Sequence, residues 1–441
     1  MTETQSQHAD PSSNPPHDGE RVGFSDPYTR YVMLVLFIVY VVSYIDRQLM
    51  AVLLEPIKND LGVSDTQMGL LTGVAFAIFY ATLGMPIARF ADRNSRRSVI
   101  AAGVAVWSMM TAATGLARNF TQILAARIFV GVGEAAGGAP GHSLISDYFP
   151  PRQRATALAL YSTGGTVGIM LGMWLGGWIG FHYGWRIAFV VLGIPGVLIA
   201  LLVRLTVREP VRGRFDEADI EAEPAPPARE AIRYLLSKPS YRWLTLAATL
   251  HVFAGFGASN WYASFLIRIH DMPLDQIGLW LGPFSGAAAT LGALFFGRLV
   301  DRMGSRDARW YMWLPMIGTL CAMPFSYAFI LSDSLFPAIY LMLPAAFFGN
   351  SYTGATFAMA QGLARPQMRT LSAATVLFSM NLLGMGFGPF VIGLMNDTLG
   401  PRFGTEAIRY SLLIIGIPHL VAAVMNALAA KTLRNDLRET A

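Results

Sequence analysis

The sequence predicts an all-α membrane protein with twelve transmembrane helices, arranged as two pseudo-symmetric six-helix bundles with both termini cytoplasmic. Three observations predict this fold class: the chain is too apolar for a soluble protein, apolar runs of membrane-spanning length recur along it, and a charged motif occurs twice. Of the 441 residues, 54% are hydrophobic and 14% are charged, whereas a soluble domain carries about 25% charged residues. The composition indicates an integral, multi-pass membrane protein, in the inner or plasma membrane if the chain is bacterial.

The elements follow in order along the chain. Residues 1–28 are polar and rich in Pro and Ser, which predicts a disordered cytoplasmic tail. Helices of about 20 apolar residues are long enough to cross a bilayer core. The runs of that kind predict spans at 30–56, 66–90, 98–117, 120–148, 154–181, 186–208, 241–268, 276–299, 309–331, 335–362, 368–396 and 406–432. They predict a first bundle at 29–209, a second bundle at 241–434 and a tail at 435–441.

The stretch between the two predicted bundles, residues 210–240, is rich in acids, prolines and arginines and predicts a cytoplasmic linker. Within it, "REAIRYLLS" is expected to form a short amphipathic helix at the membrane surface.

Lys and Arg are distributed unevenly between the two sides of the predicted spans. Segments on the side of the N-terminus hold 25 of the 33 Lys and Arg residues, and those on the opposite side hold six. Because basic residues concentrate in cytoplasmic loops, both termini are predicted to be cytoplasmic. This bias also accounts for the net charge of +5 without a nucleic-acid partner. The single cysteine, Cys321, excludes an intrachain disulfide, and no cofactor or metal is expected.

A charged motif follows the second and the eighth predicted spans. The segments "ARFADRNSRRS" (88–98) and "GRLVDRMGSRDAR" (297–309) align at a constant offset of 209 residues. The matching pairs are Arg89 with Arg298, Asp92 with Asp301, Arg93 with Arg302, and Arg97 with Arg306. An internal duplication of this kind is typical of transporters built from two related halves.

The six-plus-six layout, with G-x-x-x-D-R-x-G-x-R after spans two and eight, resembles the major facilitator superfamily over residues 29–434. The resemblance implies the major facilitator fold, and it implies that the eight motif residues belong to a cytoplasmic gate that is closed in the outward-facing state. Physically, Asp92 would cap a neighbouring helix N-terminus and pair with an arginine. For Arg96 and Arg306, positive-inside topology with surface salt bridges is an equally good explanation.

Four ionisable residues interrupt the apolar spans of the N-terminal half: Asp46, Arg47, Arg127 and Glu134. Such residues are costly inside a membrane and are functional candidates by default. From a helical rise of about 1.5 Å per residue, Asp46 and Glu134 are expected at a similar depth near the bilayer centre. We expect these two acids to couple transport to protons, with Arg47 and Arg127 as charge partners that bind substrate when freed. The alternative is a structural salt-bridge network.

The C-terminal half has no comparable charges and carries polar and aromatic side chains in its spans instead. We expect these to line a substrate pocket: His251, Asn260, Trp261, Asn350, Tyr352, Phe378 and Asn381. Each of them alone is more often a contact between helices. Together, charges in one half and a polar and apolar surface in the other suit an amphiphile with an ionic head and a hydrophobic body.

Glycines recur every four residues in the fifth span, at Gly164, Gly168, Gly172, Gly176 and Gly180. Small residues at this spacing permit close helix contact. The segment "NLLGMGFGPFVIG" in the eleventh span is the expected counterpart.

Two segments resemble the spinster-type transporters within this superfamily: "YIDRQ" (44–48) and "RIFVGVGEAAGGAPGHSLISDYFPPRQRATALA" (127–159). That family is associated with lysophospholipids, sphingoid phosphates and proton-linked transport. A related pattern occurs in organic anion symporters of the same superfamily.

The resemblance implies a proton-coupled secondary active transporter, not an enzyme, that moves a lipid-like amphiphile by alternating access as a monomer. The alternatives are a proton-coupled symporter of small organic anions and a passive lipid scramblase. The sequence leaves open the cargo, the direction of proton flow and the stoichiometry.

Overall fold

The computed structural model describes residues 22–215 and 226–438, which are helical apart from turns and short connections. No β-strand occurs within these two described ranges. The all-helical membrane fold predicted from the sequence is confirmed. The remaining residues, 1–21, 216–225 and 439–441, lie outside the described ranges, and with them most of the predicted tail, the middle of the linker and the end of the chain.

The first part of the chain, here called the N half, contains nine α-helices within the described residues. They are α1 (Pro27–Val52), α2 (Leu54–Leu61), α3 (Asp65–Gly69), α4 (Ala75–Arg93), α5 (Arg96–Thr114), α6 (Phe120–Glu134), α7 (Gly138–Tyr148), α8 (Pro151–Tyr183) and α9 (Trp185–Thr206). A π-helical turn, Leu70–Val74, joins α3 to α4.

The second part, here called the C half, begins after the linker. A short helix, α10 (Ala228–Ser237), lies where the linker sequence predicts one and buries Ala231 and Leu235. The other helices are α11 (Pro239–His270), α12 (Leu274–Leu279), α13 (Ser285–Gly304), α14 (Trp310–Leu331), α15 (Leu335–Gly349), α16 (Thr353–Gly362), α17 (Arg369–Ser379), α18 (Gly386–Phe403), α19 (Ala407–Ile414) and α20 (Ile417–Arg438). Two π-helical turns, Trp280–Phe284 and Met380–Met385, join α12 to α13 and α17 to α18.

Eight helical stretches among the described residues are long and apolar enough to cross a membrane. Three predicted spans fall on helices outside that group: 98–117, 241–268 and 335–362. The last two predicted spans share one continuous stretch, Pro366–Arg438. The count of twelve spans and the side on which the termini lie therefore stay predictions.

Connections between successive long helices lie on two opposite faces of the molecule. The linker face is defined by the connections at Asn94, Pro150, Glu209 and Asp307. The distal face is defined by the connections at Gly62, Gly184, Asp271 and Gly404.

The glycine stripe of the predicted fifth span lies on α8 and packs against α1. A Cβ atom on Gly172 would stand 2.9 Å from the Cα of Ile45, so a larger residue would push the two helices apart. The predicted counterpart on α18 packs in the same way on α11, where a Cβ on Gly388 would stand 3.1 Å from the Cα of Gly257. Each half thus holds its first long helix by a close backbone contact, which needs small residues.

A buried ion-pair network ties the beginning of the linker to the N half. Arg96, at the start of α5, is 3% exposed, and its Nη1 lies 2.5 Å from Asp147 Oδ2. Its Nε lies 2.9 Å from Glu209 Oε1, and the backbone N–H of Arg97 donates to Glu209 Oε2. Burial alone would raise the pKa of Glu209, but the hydrogen bonds from Arg97, Arg96 and Ser95 hold it below its ordinary value. Arg96 is therefore a buried structural residue rather than part of a surface salt bridge.

We predict that Arg96→Ala lowers the stability of the folded protein by about 3 kcal/mol, because it leaves the buried carboxylate of Asp147 without its cation. The measurement is the melting temperature of the purified protein in detergent. Arg306→Ala is the matched control, because Arg306 lies in the duplicated motif of the C half and is exposed.

A melting temperature that falls equally in the two variants would contradict a specific role for the Arg96 network. The lowered pKa of Glu209 also sets the pH dependence of this contribution. The stabilisation is fully present above the ordinary pKa of 4.5 and is lost as the pH falls through the folded-state pKa.

Candidate functional site

A cavity of about 650 Å³ lies between the two halves. Its N-half wall comes from α1 and α8 and includes Tyr44, Arg47 and Gln48. Its C-half wall is larger and mostly apolar, with polar groups from His251 and Asn381 among methionines and aromatic residues. The cavity therefore presents a single permanent charge, the guanidinium of Arg47, to an otherwise uncharged lining.

The cavity is closed toward the distal face. On that side its lining ends at the buried side chains of Phe329 and Leu412, each 1% exposed. Contacts between the halves are concentrated in the distal segments, where α8 packs on α12 and α3 packs on α18.

The central feature of the site is an ion pair between Arg47 and Glu134. Arg47 Nε lies 2.6 Å from Glu134 Oε2, and the side chains are 9% and 0% exposed. Ser43 Oγ donates to the same carboxylate oxygen at 3.0 Å. The pair joins α1 to the end of α6, which fits the sequence prediction that Asp46 and Glu134 lie at one depth. Because Arg47 also lines the cavity, this ion pair is the place where buried charge meets the cavity.

Three aromatic rings surround the guanidinium of Arg47. Its Cζ lies 4.8 Å from the ring centroids of Tyr44, Phe76 and Tyr80. Cation–π contacts of this kind are stronger away from water. Arg47 therefore stays charged and close to the cavity wall without a second carboxylate.

Asp46 lies behind the cavity wall and is completely buried. Neither of its carboxylate oxygens has a hydrogen-bond partner. The charged groups that act on it are Glu134, Arg127 and Arg47. A buried carboxyl without a hydrogen bond or an ion pair is costly as an anion and much less costly with a proton bound.

Arg127 lies near both acids but forms no salt bridge with either. It is 2% exposed, its Nε has no hydrogen-bond partner, and its Cζ stands 5.8 Å from the Phe76 ring centroid. Of the two predicted charge partners, only Arg47 is bonded to an acid in this structure.

The C-half wall is organised around a stacked pair of rings. His251 stacks on Tyr352 with ring centroids 4.6 Å apart and an interplanar angle of 12°. His251 Nε2 lies 3.4 Å from Thr319 Oγ1, and the ring of His419 stands 5.6 Å away on another side. Sequence analysis missed His419, although a lone histidine in the apolar run "IIGIPHLVAAVM" (414–425) was a usable signal.

Four of the predicted pocket residues line the cavity: His251, Asn350, Tyr352 and Asn381. The other three do not. The indole of Trp261 is fully buried and donates to the Pro389 carbonyl oxygen, while Asn260 donates to the carbonyl of Phe256 within its own helix. Phe378 lies outside the cavity lining and is 47% exposed. Whether a side chain reaches the cavity depends on how its helix is rotated about its own axis. Residues of one helix at nearly the same depth point in different directions.

A charged cluster on the distal face joins the two halves. Arg268 of the C half donates to Glu55 Oε2 at 2.7 Å and to Asp65 Oδ2 at 2.6 Å, both in the N half. Asp397 of the C half accepts hydrogen bonds from the backbone N–H groups of Asp65 and Thr66, at the start of α3. We call these five residues the distal clamp. Sequence analysis did not predict the clamp.

On the linker face the predicted gate residues do not form a corresponding clamp. Asp92 and Arg93 are exposed, and so are Arg298, Asp301, Arg302, Arg306 and Arg89. Arg97 is the exception, because its Nη1 donates to the Val207 carbonyl oxygen at 3.1 Å. The predicted latch through Asp92 belongs to the opposite state, with the linker face closed, and it stays a prediction.

The described residues contain no group of three or more His, Cys, Asp or Glu side chains arranged to hold a metal ion. The chemistry available at the site is therefore charge pairing, hydrogen bonding and proton exchange by carboxyl and imidazole groups.

Residues 36–371 match the family described as the Major Facilitator Superfamily. The MFS-type efflux pump of Mycolicibacterium smegmatis is 34% identical over 411 residues, which cover 92% of this chain and 94% of that protein. The probable L-galactonate transporter of Escherichia coli is 24% identical over 419 residues, covering 92% and 90% of the two chains.

Among solved structures, a bacterial homolog to the human lysosomal transporter Spinster superposes with a TM-score of 0.86 at 32% sequence identity. The match covers 93% of this chain and 98% of that chain, and the homolog was crystallised in an inward-facing and unoccupied conformation.

We predict that Arg268→Ala opens the distal face, because it removes the cation that two carboxylates of the other half share. The expected shift in the equilibrium between closed and open distal faces is at least about tenfold. Spin labels on the exposed residues Asn59 and Thr398, in a Cys321→Ala background, report the distance between the halves by pulsed electron resonance.

Arg186→Ala is the matched control for this experiment. The Arg186–Asp60 pair lies on the same face but is exposed and joins two residues of the N half. Loss of that pair is expected to leave the distance distribution unchanged. A distribution that stays short in Arg268→Ala would show that the clamp does not hold the face closed.

Proposed function

This chain belongs to the Major Facilitator Superfamily, and on that premise we propose that it is a proton-coupled secondary active transporter of an amphiphilic, lipid-like substrate. Members of this superfamily are transporters rather than enzymes, and the chain is an integral, multi-pass membrane protein that resembles the spinster transporters. The proposal concerns the substrate class, the coupling to protons and the alternating-access mechanism.

The observation that carries the proposal is the ion pair of Arg47 with Glu134 in the wall of an otherwise uncharged cavity. An anionic head group that enters the cavity meets one cation, Arg47, which is already held by a carboxylate. Arg47 can bind the substrate anion fully only when Glu134 gives it up. Protonation of Glu134 removes the competing charge, so substrate binding and proton binding favour each other.

The second acid supports the same coupling. With Asp46, Glu134, Arg47 and Arg127 all ionised, the set is formally neutral, and one proton makes it positive and ready to accept an anion. Asp46 is buried without a hydrogen bond, which is the environment of a carboxyl that takes up a proton readily. The coupling thus has two candidate proton sites around one substrate-facing arginine.

Alternating access explains the unequal faces of the molecule. The distal clamp joins the halves at one end, and we infer that the cavity opens at the other, because the contacts between the halves are concentrated at the distal end. If the linker face is cytoplasmic, this arrangement is inward-facing. In the outward-facing state the clamp opens, and Asp92 and its partner arginines close the linker face.

The size and lining of the cavity favour an amphiphile such as a lysophospholipid or a sphingoid phosphate. Its volume of about 650 Å³ falls within the range of about 300–1,000 Å³ that is typical of ligand pockets. The C-half wall provides apolar and aromatic surface for a hydrocarbon chain, while His251 and Asn381 provide hydrogen bonds next to it.

A second candidate is a proton-coupled symporter of small organic anions. It is favoured by the whole-length similarity to a probable L-galactonate transporter and by the single cation in the cavity wall. A passive lipid scramblase is a third possibility, and it differs because its flux would not respond to a pH gradient. We propose a monomer, since the cavity is formed within one chain.

We predict that Glu134→Gln and Asp46→Asn each abolish uptake driven by a pH gradient in reconstituted vesicles, because an amide cannot exchange the coupling proton. Glu134→Gln is expected to retain exchange of labelled substrate at equal concentration on both sides, since the neutral amide also frees Arg47. Folding is checked by the melting temperature and by size-exclusion chromatography. Normal pH-driven uptake in both variants contradicts proton coupling at this site.

The substrate class is tested by thermal stabilisation of the protein in lipid nanodiscs. A lysolipid with an anionic head group is expected to raise the melting temperature. At a hundredfold excess over its dissociation constant, the free energy of unfolding is expected to increase by about 2.7 kcal/mol. An uncharged monoacylglycerol of the same chain length is the matched control for the head group. Stabilisation by galactonate but not by the lysolipid would favour the organic anion symporter.

A further inference from the structure

One face of α5 carries three buried hydrogen-bonding side chains that have no partner. Trp107, Ser108 and Thr111 are each 1% exposed or less. The indole Nε1 of Trp107 and the hydroxyl oxygens of Ser108 and Thr111 form no hydrogen bond. Residues three and four apart on a helix share one face, so Thr111 lies on one face with Ser108 and with Trp107. We call these three side chains the α5 donor face.

Unpartnered hydroxyls depart from the usual behaviour of serine and threonine inside the helices of this chain. Thr72, Thr114 and Thr249 each donate to the carbonyl oxygen four residues earlier in the same helix. Thr114 lies only one turn beyond Thr111 on α5, so the helix itself permits this bond. A buried polar group left without a partner costs about 1–3 kcal/mol, and the hydroxyl of Thr111 is therefore available for another acceptor.

Asp46 is the acceptor that lies nearest to this face. Thr111 is the side-chain hydrogen-bond donor that acts on the carboxylate of Asp46, although the contact lies outside ordinary hydrogen-bond geometry. Ser108 lies one turn away, next to Gly196 and to Val42 of α1, which is itself one turn before Asp46. A buried donor and a buried acceptor, neither with an ordinary hydrogen bond, thus lie next to each other.

The C half repeats this arrangement with different chemistry. His251 on α11 lies 3.4 Å from the hydroxyl of Thr319 on α14, in the helices that correspond to α1 and α5. Thr319 also donates to the carbonyl of Pro315. Each half therefore places a titratable side chain of its first long helix against a threonine. Thr111 differs from Thr319 because its hydroxyl has no hydrogen bond of ordinary geometry, neither to its own helix nor to Asp46.

We propose that Thr111, supported by Ser108 and Trp107, is the positioning residue that receives the ionised carboxylate of Asp46 when this acid has released its proton. The inference rests on the proposed proton coupling and extends it, because it assigns a structural site to the deprotonated state. A small movement of α1 along α5 converts the facing groups into hydrogen bonds.

The proton balance of this step links it to substrate binding. The O–H bond of Asp46 breaks, and Glu134 gains a proton on Oε1, which has no hydrogen-bond partner. The total charge of the four ionisable residues does not change. The ionised Asp46 is then held by the α5 donor face and attracted by Arg127, while the neutral Glu134 releases Arg47. The charged groups that face Asp46 are Arg47 on its own helix and Arg127 and Glu134 from α6.

The test is the pH profile of uptake by Thr111→Val, which replaces the hydroxyl by a methyl group of similar size. Without its donor the ionised form of Asp46 is less stable, so Asp46 keeps its proton to higher pH. The part of the pH profile that reports Asp46 is identified as the limb that disappears in Asp46→Asn. In Thr111→Val this limb is expected to move to higher pH by about one unit. The melting temperature is expected to be unchanged or higher, because an unpartnered buried hydroxyl is removed.

Three further variants make the outcome specific. Thr111→Ser keeps the hydroxyl, so the Asp46 limb of its uptake profile is expected to lie at the same pH as in the wild type. Thr114→Val, on the same helix and equally buried, removes a hydroxyl that is already bonded within α5 and is expected to leave the profile in place. Ser108→Ala is expected to shift the profile in the same direction by a smaller amount, and it serves if Thr111→Val does not fold.

Proton coupling through Asp46 and the role of the α5 donor face are contradicted by different results. If Asp46→Asn removes the limb but neither Thr111→Val nor Ser108→Ala moves it, the α5 donor face has no part in coupling and the inference is wrong. If Asp46→Asn leaves the profile unchanged, proton coupling through Asp46 itself is wrong.

Discussion

The ion pair between Arg47 and Glu134 is the interaction on which the rest of the site depends. An arginine in a membrane interior needs a counter-charge and further contacts, and Arg47 has a carboxylate at 2.6 Å and three aromatic rings around it. This arrangement keeps the guanidinium at the wall of the cavity without exposing it to lipid. Under the proposed coupling, protonation of Glu134 releases Arg47 to bind an anion.

The two halves share an architecture and differ in chemistry. Both use glycines on one helix to bring it against the first long helix, at Gly172 on α8 and at Gly388 on α18. The N half uses the resulting rigid core to hold four ionisable side chains. The C half places His251 and an apolar wall around the cavity instead. The division explains how one pocket can offer a charge at one end and a hydrophobic surface over the rest.

The electrostatic contacts are also divided between the two faces of the molecule. The distal clamp crosses from one half to the other, whereas the Arg96 network on the linker face lies within the N half and its linker. A contact within one half moves with it as a rigid body and does not oppose separation of the halves. The clamp does oppose it, together with the packing of α8 on α12 and of α3 on α18.

The sequence by itself determined the membrane class, the helical fold, the duplicated motif and the four ionisable residues of the N half. These follow from composition and order along the chain, because a charge in a long apolar run stands out whatever its surroundings. The sequence could not determine which side chains reach the cavity: Asn381 does, while Asn260, Trp261 and Phe378 do not. It also could not reveal the clamp of Arg268 with Glu55 and Asp65, or the position of Thr111 against Asp46. Only the tertiary structure decided these points, because they depend on how each helix is rotated about its axis, and that rotation is set by packing between residues far apart in the chain.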